Sequence, residues 1–212
     1  MAEDRLKLWE TLFQRALLLI DSARDSGAVL DNWSFGGGTV LMRRHHHRFS
    51  KDIDIFVIDP QCLPYLSPRL NDKAESLTSD YVEQADFLKL NFREGEIDFV
   101  ASAPLTENAS VSETLFGHEV QVETSSEIIA KKVWHRGDRF TARDIFDLAT
   151  VAEKEPEALW KIQPILSGRR EVILERIATQ EAALRETFAA LEVLDYRRSF
   201  DKCVELTKKA LG

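Results

Sequence analysis

Apolar residues near the start of the chain recur at Leu6, Trp9, Phe13, Ala16, Leu17 and Ile20, a spacing that puts one buried stripe on a helix over residues 3 to 25. Gly27 supplies a stop for it. Trp33 to Phe35 then forms a short strand candidate, and 39 to 47 a helix leading back to a second strand. That strand, 52 to 58, is apolar from 53 onward except for Asp54, the composition of a mostly buried strand. Strand side chains alternate faces, so Ser50, Asp52 and Asp54 share one face while Ile53, Ile55 and Val57 pack on the other. After Pro60, Pro64 and Pro68 the pattern predicts a loop and a helix to about Ser79. Two further strands follow, Phe87 to Phe92 and Ile97 to Val100, joined by a hairpin signal at Arg93-Glu94-Gly95-Glu96. Residues 118 to 123 alternate as another strand.

Beyond 124 the period changes to that of helices. Thr124 with Glu127, and Thr141 with Asp144, have capping-box spacing, so a helix opens at each. Past Pro156 the apolar positions Ile173, Ile177, Leu184, Phe188 and Leu191 mark a long amphipathic stretch, and Phe200, Cys203, Val204 and Leu211 a last helix. Such stripes are core or partner surface rather than cofactor sites. The run His45-His46-His47 reads as a polar helix end, because consecutive helical side chains diverge too far to share a metal.

Composition narrows the class. A chain of 212 residues, 44% hydrophobic and 30% charged, is an ordinary globular protein of one domain or two small ones. The formal net charge of −8 argues against a surface wholly given to nucleic acid and leaves room for a local patch. Two basic runs supply candidates: Arg43, Arg44, Arg48 and Lys51, then Lys131, Lys132, Arg136, Arg139 and Arg143. Cys62 and Cys203 have no metal-ligand spacing and are too few for a disulfide framework, which fits a reducing compartment. Leu17-Leu18-Leu19-Ile20 is too short for a signal peptide or a membrane span, so a cytoplasmic protein with no membrane partner is expected.

The chemistry concentrates in residues 33 to 58. Glycine lets a ligand approach the main chain closely, and a helix beginning near Thr39 would aim free N–H groups at whatever sits on Gly37-Gly38-Thr39, which suits a phosphate. Asp52 and Asp54, side by side on one strand, repel each other, and a bound hard cation such as Mg²⁺ removes that cost. A phosphate cradle beside a metal-holding carboxylate pair is a layout for phosphoryl or nucleotidyl transfer. Asp98, on the neighbouring hairpin, is a candidate third carboxylate.

Glycine turn, helix, then Asp-x-Asp on a strand closely resembles the signature of the nucleotidyltransferase superfamily related to DNA polymerase β. The stretch from Gly37 to Phe56, with Arg48 and Ser50 just ahead of the carboxylates, looks most like the AbiEii/AbiGii type of toxin nucleotidyltransferase. Glu127, Lys132 and Arg143-Asp144 resemble that family's second signature. The resemblance implies an α/β (α+β) fold: a mixed, mainly antiparallel sheet with flanking helices in residues 1–124, and a helical region, 125–212, closing the active site. It implies an enzyme that moves an NMP from an NTP to an acceptor hydroxyl with Mg²⁺ (or Mn²⁺). Asp52 and Asp54 would serve the metal, Asp98 would complete the metal site or take the proton of the attacking hydroxyl, Gly37, Gly38, Thr39, Arg48 and Ser50 would serve the nucleotide, Lys132 the triphosphate, and Asp144 would organise the site or position that lysine. It further implies a tRNA or other RNA 3′ end as acceptor and a cognate antitoxin as partner. Two alternatives stay open: a protein or small-molecule hydroxyl as acceptor, and a non-catalytic nucleotide- or partner-binding module of the same fold.

Overall fold

The computed structural model describes residues 5–212, so positions 3 and 4 of the expected first helix lie outside the described residues. The chain divides into two units that interleave along the sequence. A sheet unit takes the chain up to Val40, Ser50–Ala103 and Ser110–Glu123; a helical unit takes Leu41–Phe49, Pro104–Ala109 and Thr124–Gly212.

In order, the elements are α1 (Leu8–Asp25), β1 (Trp33–Gly36), α2 (Gly37–His45), β2 (Ile53–Val57), α3 (Leu63–Leu66), α4 (Asp72–Leu77), β3 (Tyr81–Glu83), β4 (Phe87–Asn91), β5 (Glu96–Ala101), β6 (Ser110–Leu115) and β7 (His118–Glu123). The helical elements follow as α5 (Ser125–Arg136), α6 (Ala142–Lys154), α7 (Pro156–Trp160), α8 (Gln163–Gly168), α9 (Arg170–Thr179), α10 (Glu181–Ala189) and α11 (Phe200–Leu211). Among the described residues no helix is long and apolar enough to cross a membrane.

The seven strands form one sheet in the order β3-β4-β5-β2-β1-β7-β6. The β1–β2, β3–β4, β4–β5 and β6–β7 pairs are antiparallel, while β2–β5 and β1–β7 are parallel, so the sheet is mixed and mainly antiparallel as expected. Alternation then sorts the two faces. Phe35, Ile53, Ile55, Leu88, Leu90, Ile97 and Phe99 are fully buried, and α1, with Leu12, Phe13, Ala16 and Ile20 buried, packs against β2 and β5. The opposite parity carries Ser34, Asp54, Lys89, Glu96 and Asp98, all half-buried. One face is thus core; the other carries the acids and Lys89 together with the half-buried Phe56, Phe87 and Val100.

Two strands carry no sequence signal. β6 (SVSETL) has no apolar alternation and no buried residue; it forms because Phe116 (φ 51°) and Gly117 (φ 82°) make a tight turn onto β7, with Leu115 opposite His118. Positive φ at both central positions matches the right-handed strand twist, and a phenylalanine there is unusual enough to hide the turn. Trp9 and Phe13 hold the Phe116 ring at 6.0 and 6.1 Å. The three-residue edge strand β3 is the other.

In the helical unit, α6 packs against α11 and α10, and Phe146 stands edge-on to Phe188 and Tyr196. Both predicted N-caps form. Thr141 and Asp144 make a complete capping box, but at α5 only half of one appears: the Thr124 hydroxyl accepts from Glu127 N, while the Glu127 carboxylate turns elsewhere. That carboxylate, fully buried, accepts from Leu105 N, Thr106 N and the Thr106 hydroxyl, so it pins the 104–109 loop instead of the helix end.

Candidate active site

α2 begins at Gly37, two residues before the expected start, directly at the end of β1. Gly37 has φ +72°, a conformation L side chains rarely adopt. A β-carbon there would sit 1.9 Å from Asp54 Oδ2, so the carboxylate lies against the bare main chain of the glycine turn. The register explains the approach: Gly36 is opposite Asp54 across β1–β2. On its other side Asp54 is opposite Asp98 across β2–β5, so the two acids are neighbours on the polar face.

Asp52 lies just ahead of β2, and its Oδ1 accepts from Glu96 N at 3.1 Å. Thr39 is fully buried; its hydroxyl donates to the Asp52 carbonyl (2.6 Å) and lies 3.0 Å from Ser50 Oγ. The Thr39 side chain therefore fixes the approach to the carboxylate strand, leaving only its main chain to serve a phosphate. Lys89, opposite Asp98 on β4, places its ammonium 2.9 Å from Asp98 Oδ1 and also bonds Glu96. Burial raises the Asp98 carboxyl above its ordinary value; Lys89 opposes that rise, while the charges of Glu96 and Asp52 add to it.

Glu123 is a further acid of this face that the sequence reading did not single out. It is 1% exposed, accepts from the Ser34 hydroxyl (2.9 Å), and would meet a β-carbon on Gly36 at 2.2 Å. Consecutive glycines thus admit one carboxylate each. A strand-end glutamate after the alternating Val120-Gln121-Val122 gives no hint of this.

The carboxylates of this face offer a hard divalent cation oxygen ligands partly withdrawn from water, with the Lys89 ammonium already beside Asp98. Among the described residues no three acids, histidines or cysteines are placed to hold one metal ion. Mg²⁺ is commonly held by one or two carboxylates, with water and substrate phosphate completing its shell, so a pair such as Asp54 and Asp98 suffices.

In the helical unit the second signature folds into a buried charge cluster. Lys132 Nζ is 2.8 Å from Asp144 Oδ1 and 3.1 Å from Asp147 Oδ2. Asp144 spends its other oxygen on the cap, accepting from Thr141 N and the Thr141 hydroxyl, so capping and lysine placement are both true of it. Asp147, with no exposed surface, also receives Arg48 Nε (2.7 Å), Arg48 Nη2 (2.8 Å) and His47 Nε2 (2.7 Å). Burial alone would raise its carboxyl, and the charges of Arg48 and Lys132 outweigh that, holding it well below the usual carboxylate range. Burial lowers His47, which stacks on Phe146 at 5.9 Å.

Two expectations need correction here. Arg48, expected at the nucleotide, is 3% exposed with the fork of its guanidinium on Asp147. His45 and His47, read as a polar helix end, are buried, and only His46 faces outward.

A family model described as nucleotidyl transferase AbiEii toxin, type IV toxin–antitoxin system, matches residues 23–210. The chain belongs to that family. Both the glycine–Asp-x-Asp stretch and the lysine–aspartate stretch fall inside the match. Among solved structures, MenT4, a nucleotidyltransferase toxin from Mycobacterium tuberculosis H37Rv, is similar over 98% of this chain and 83% of its own, with a TM-score of 0.54 and 15% identity. JHP933 from Helicobacter pylori is similar over 95% of this chain and 90% of its own, with a TM-score of 0.52 and 13% identity. At such identities the likeness is one of fold. No curated protein matches by sequence. As an AbiEii member the chain is a toxin nucleotidyltransferase of a type IV toxin–antitoxin system.

Proposed function

We propose that this AbiEii protein is a Mg²⁺-dependent enzyme that transfers a nucleoside monophosphate from an NTP to a hydroxyl at an RNA 3′ end, that of tRNA or another RNA. The observation that carries the reading is the juxtaposition of Asp54 and Asp98 on adjacent strands, with Asp54 lying on the Gly37 main chain at the start of α2. A helix start offers free N–H groups to phosphate, and the acids beside it offer oxygen to a cation.

In this account Asp52 and Asp54 hold Mg²⁺ (or Mn²⁺), and Asp98 either joins them or takes the proton of the acceptor hydroxyl. Bound there, the ion would draw charge from the phosphate oxygens. Gly37, Gly38 and the Thr39 amide seat the triphosphate, and Ser50 stands at the same turn beside Thr39. The acceptor oxygen bonds to the α-phosphorus as the bond to pyrophosphate breaks. Lys132, held by Asp144 and Asp147, is assigned to the charge that develops on pyrophosphate. Most of the acceleration comes from positioning and fixed charge, since this chemistry asks little covalent work of the protein. A cytoplasmic setting supplies both NTP and RNA, and burial of Cys62 and Cys203, pushed up to about 11 and about 12, keeps both thiols inert.

The test is to incubate the protein with each NTP labelled at the α-phosphate, total cellular RNA and Mg²⁺, then separate RNA from protein. Label in RNA that disappears with a chelator and in Asp54→Ala, at an unchanged melting temperature, is the expected result. Full transfer by Asp54→Ala overturns the carboxylate role. The net charge of −8 favours one other reading, a protein or small-molecule acceptor, and label outside the RNA fraction would establish it.

A further inference from the structure

The helical unit carries an arginine-rich surface around one exposed tryptophan that the catalytic reading leaves unused. Trp134, in the last turn of α5, is 47% exposed, although its neighbours Val133 and Phe140 are buried. The guanidinium of Arg169 lies over its ring, 4.8 Å from the centroid. The turn Gly137–Arg139 brings α9 alongside, with Arg169 Cδ and Val172 Cγ1 in van der Waals range of a β-carbon at Gly137. Arg136 and Arg139 are exposed at this turn, and the exposed Arg143 and Arg170 stand in the first turns of α6 and α9 that follow it and Arg169. Arg143, Arg169 and Arg170 have no carboxylate within ion-pair distance among the described residues. Arg136 reaches Asp144 only at 3.7 Å, and Arg139 meets the exposed Asp138 at 3.7 Å. The imidazole of His135 registers the local field: burial lowers it first, then Lys131, Arg136 and Arg169 lower it further.

Between Trp134 and Arg143 three exposed arginines stand against one acid, Asp138, within a chain whose net charge is −8. Counter to the rest of the molecule, this surface is built for an anion. Its aromatic ring, backed by an arginine plane, offers a stacking platform of the kind unpaired bases use, while the flanking arginines match a phosphate backbone. A paired helix hides its base faces, so the ligand that uses both features is a single strand.

We infer that the Trp134–Arg169 surface docks a single-stranded RNA segment, a base stacking on Trp134 and phosphates meeting Arg136, Arg139, Arg143 and Arg170; this rests on the reading that RNA is the acceptor. The surface binds the acceptor and takes no part in the transfer. Trp134 is half exposed, so its replacement leaves the fold in place.

The full-length protein is titrated with a short single-stranded RNA and with tRNA, at several salt concentrations. Trp134→Ala should weaken binding on the order of ten- to hundred-fold, the worth of one stacked base, and Trp134→Phe should restore most of it. Arg139→Gln with Arg143→Gln should flatten the salt dependence by about 0.7 per arginine in the log–log slope. Transfer by Trp134→Ala should show a raised KM for RNA, with kcat and the KM for NTP unchanged. Wild-type RNA affinity and salt slope in these variants would overturn the surface while RNA labelling by the wild type stands. If the variants bind RNA normally but lose association with the cognate antitoxin, the surface belongs to a protein partner and the inference fails. If the wild type neither binds nor labels RNA yet labels another acceptor, the RNA reading falls first and the docking surface with it.

Discussion

Four nitrogens converge on the two oxygens of Asp147, from His47, Lys132 and both prongs of the Arg48 fork. Removing one member of a buried ion pair strands the other, so Asp147→Ala should destabilise the protein by about 3–5 kcal/mol, read from the urea midpoint. The pH dependence follows from the direction of the shift. The Asp147 carboxyl is held below its unfolded value of roughly 3.9. Its contribution is therefore complete above that pH and is lost as pH falls through it toward the folded value. Wild type should lose stability steeply below about pH 4, and Asp147→Asn should flatten that limb; an unchanged limb would remove Asp147 from the account. The strand faces of Asp54 and Asp98 could be read from parity, a local rule. Arg48 could not, since its partner stands 99 residues away and nothing in a linear pattern pairs them. Asp147 had one available clue, its place three residues after Asp144 on the same helical face, and that clue says nothing about what it holds.

At the scale of elements, the joint between β1 and α2 decides whether the carboxylate face keeps its shape. Alanine at 37 would pay for a left-handed backbone, about 1–2 kcal/mol, and would also drive its β-carbon into the Asp54 carboxylate. Gly37→Ala should therefore cut nucleotide transfer by about a hundred-fold, the usual consequence of moving a reacting group by an ångström, with only a modest fall in the urea midpoint. The labelling assay and a denaturation curve together separate these effects. Elements with strong periodicity (β2, β4, β5 and the end of α1) were legible to within a residue or two, because burial on one side imposes the period directly. β6 was not, since its pairing comes from the Phe116–Gly117 turn rather than from its own side chains. Glu127 shows the same limit at a cap: the spacing with Thr124 was right, yet the 104–109 loop, invisible from the helix, takes the carboxylate.

For the whole molecule, the interleaving of the two units matters more than either fold class. Sequence periodicity suggested a change of regime near residue 124, where strands give way to helices. What it did not show is that Leu41–Phe49 and Pro104–Ala109 belong with the helices. Only side-chain pairing reveals that: Arg48 and His47 on Asp147, and Leu105 and Thr106 on Glu127. A polypeptide of residues 124–212 made alone would bury Asp147 and Glu127 without those partners. It should fail to give a cooperative thermal transition by circular dichroism, and adding a peptide of residues 41–49 in trans should not rescue it at micromolar concentration. A sharp transition in the isolated fragment would show that these contacts are dispensable. The same long-range pair sets a schedule for synthesis. At about 5–20 residues per second, Asp147 leaves the ribosome some 5–20 s after Arg48, and until then the arginine has nowhere to bury its charge. A chain wired in this way cannot close its helical unit until most of it has been translated.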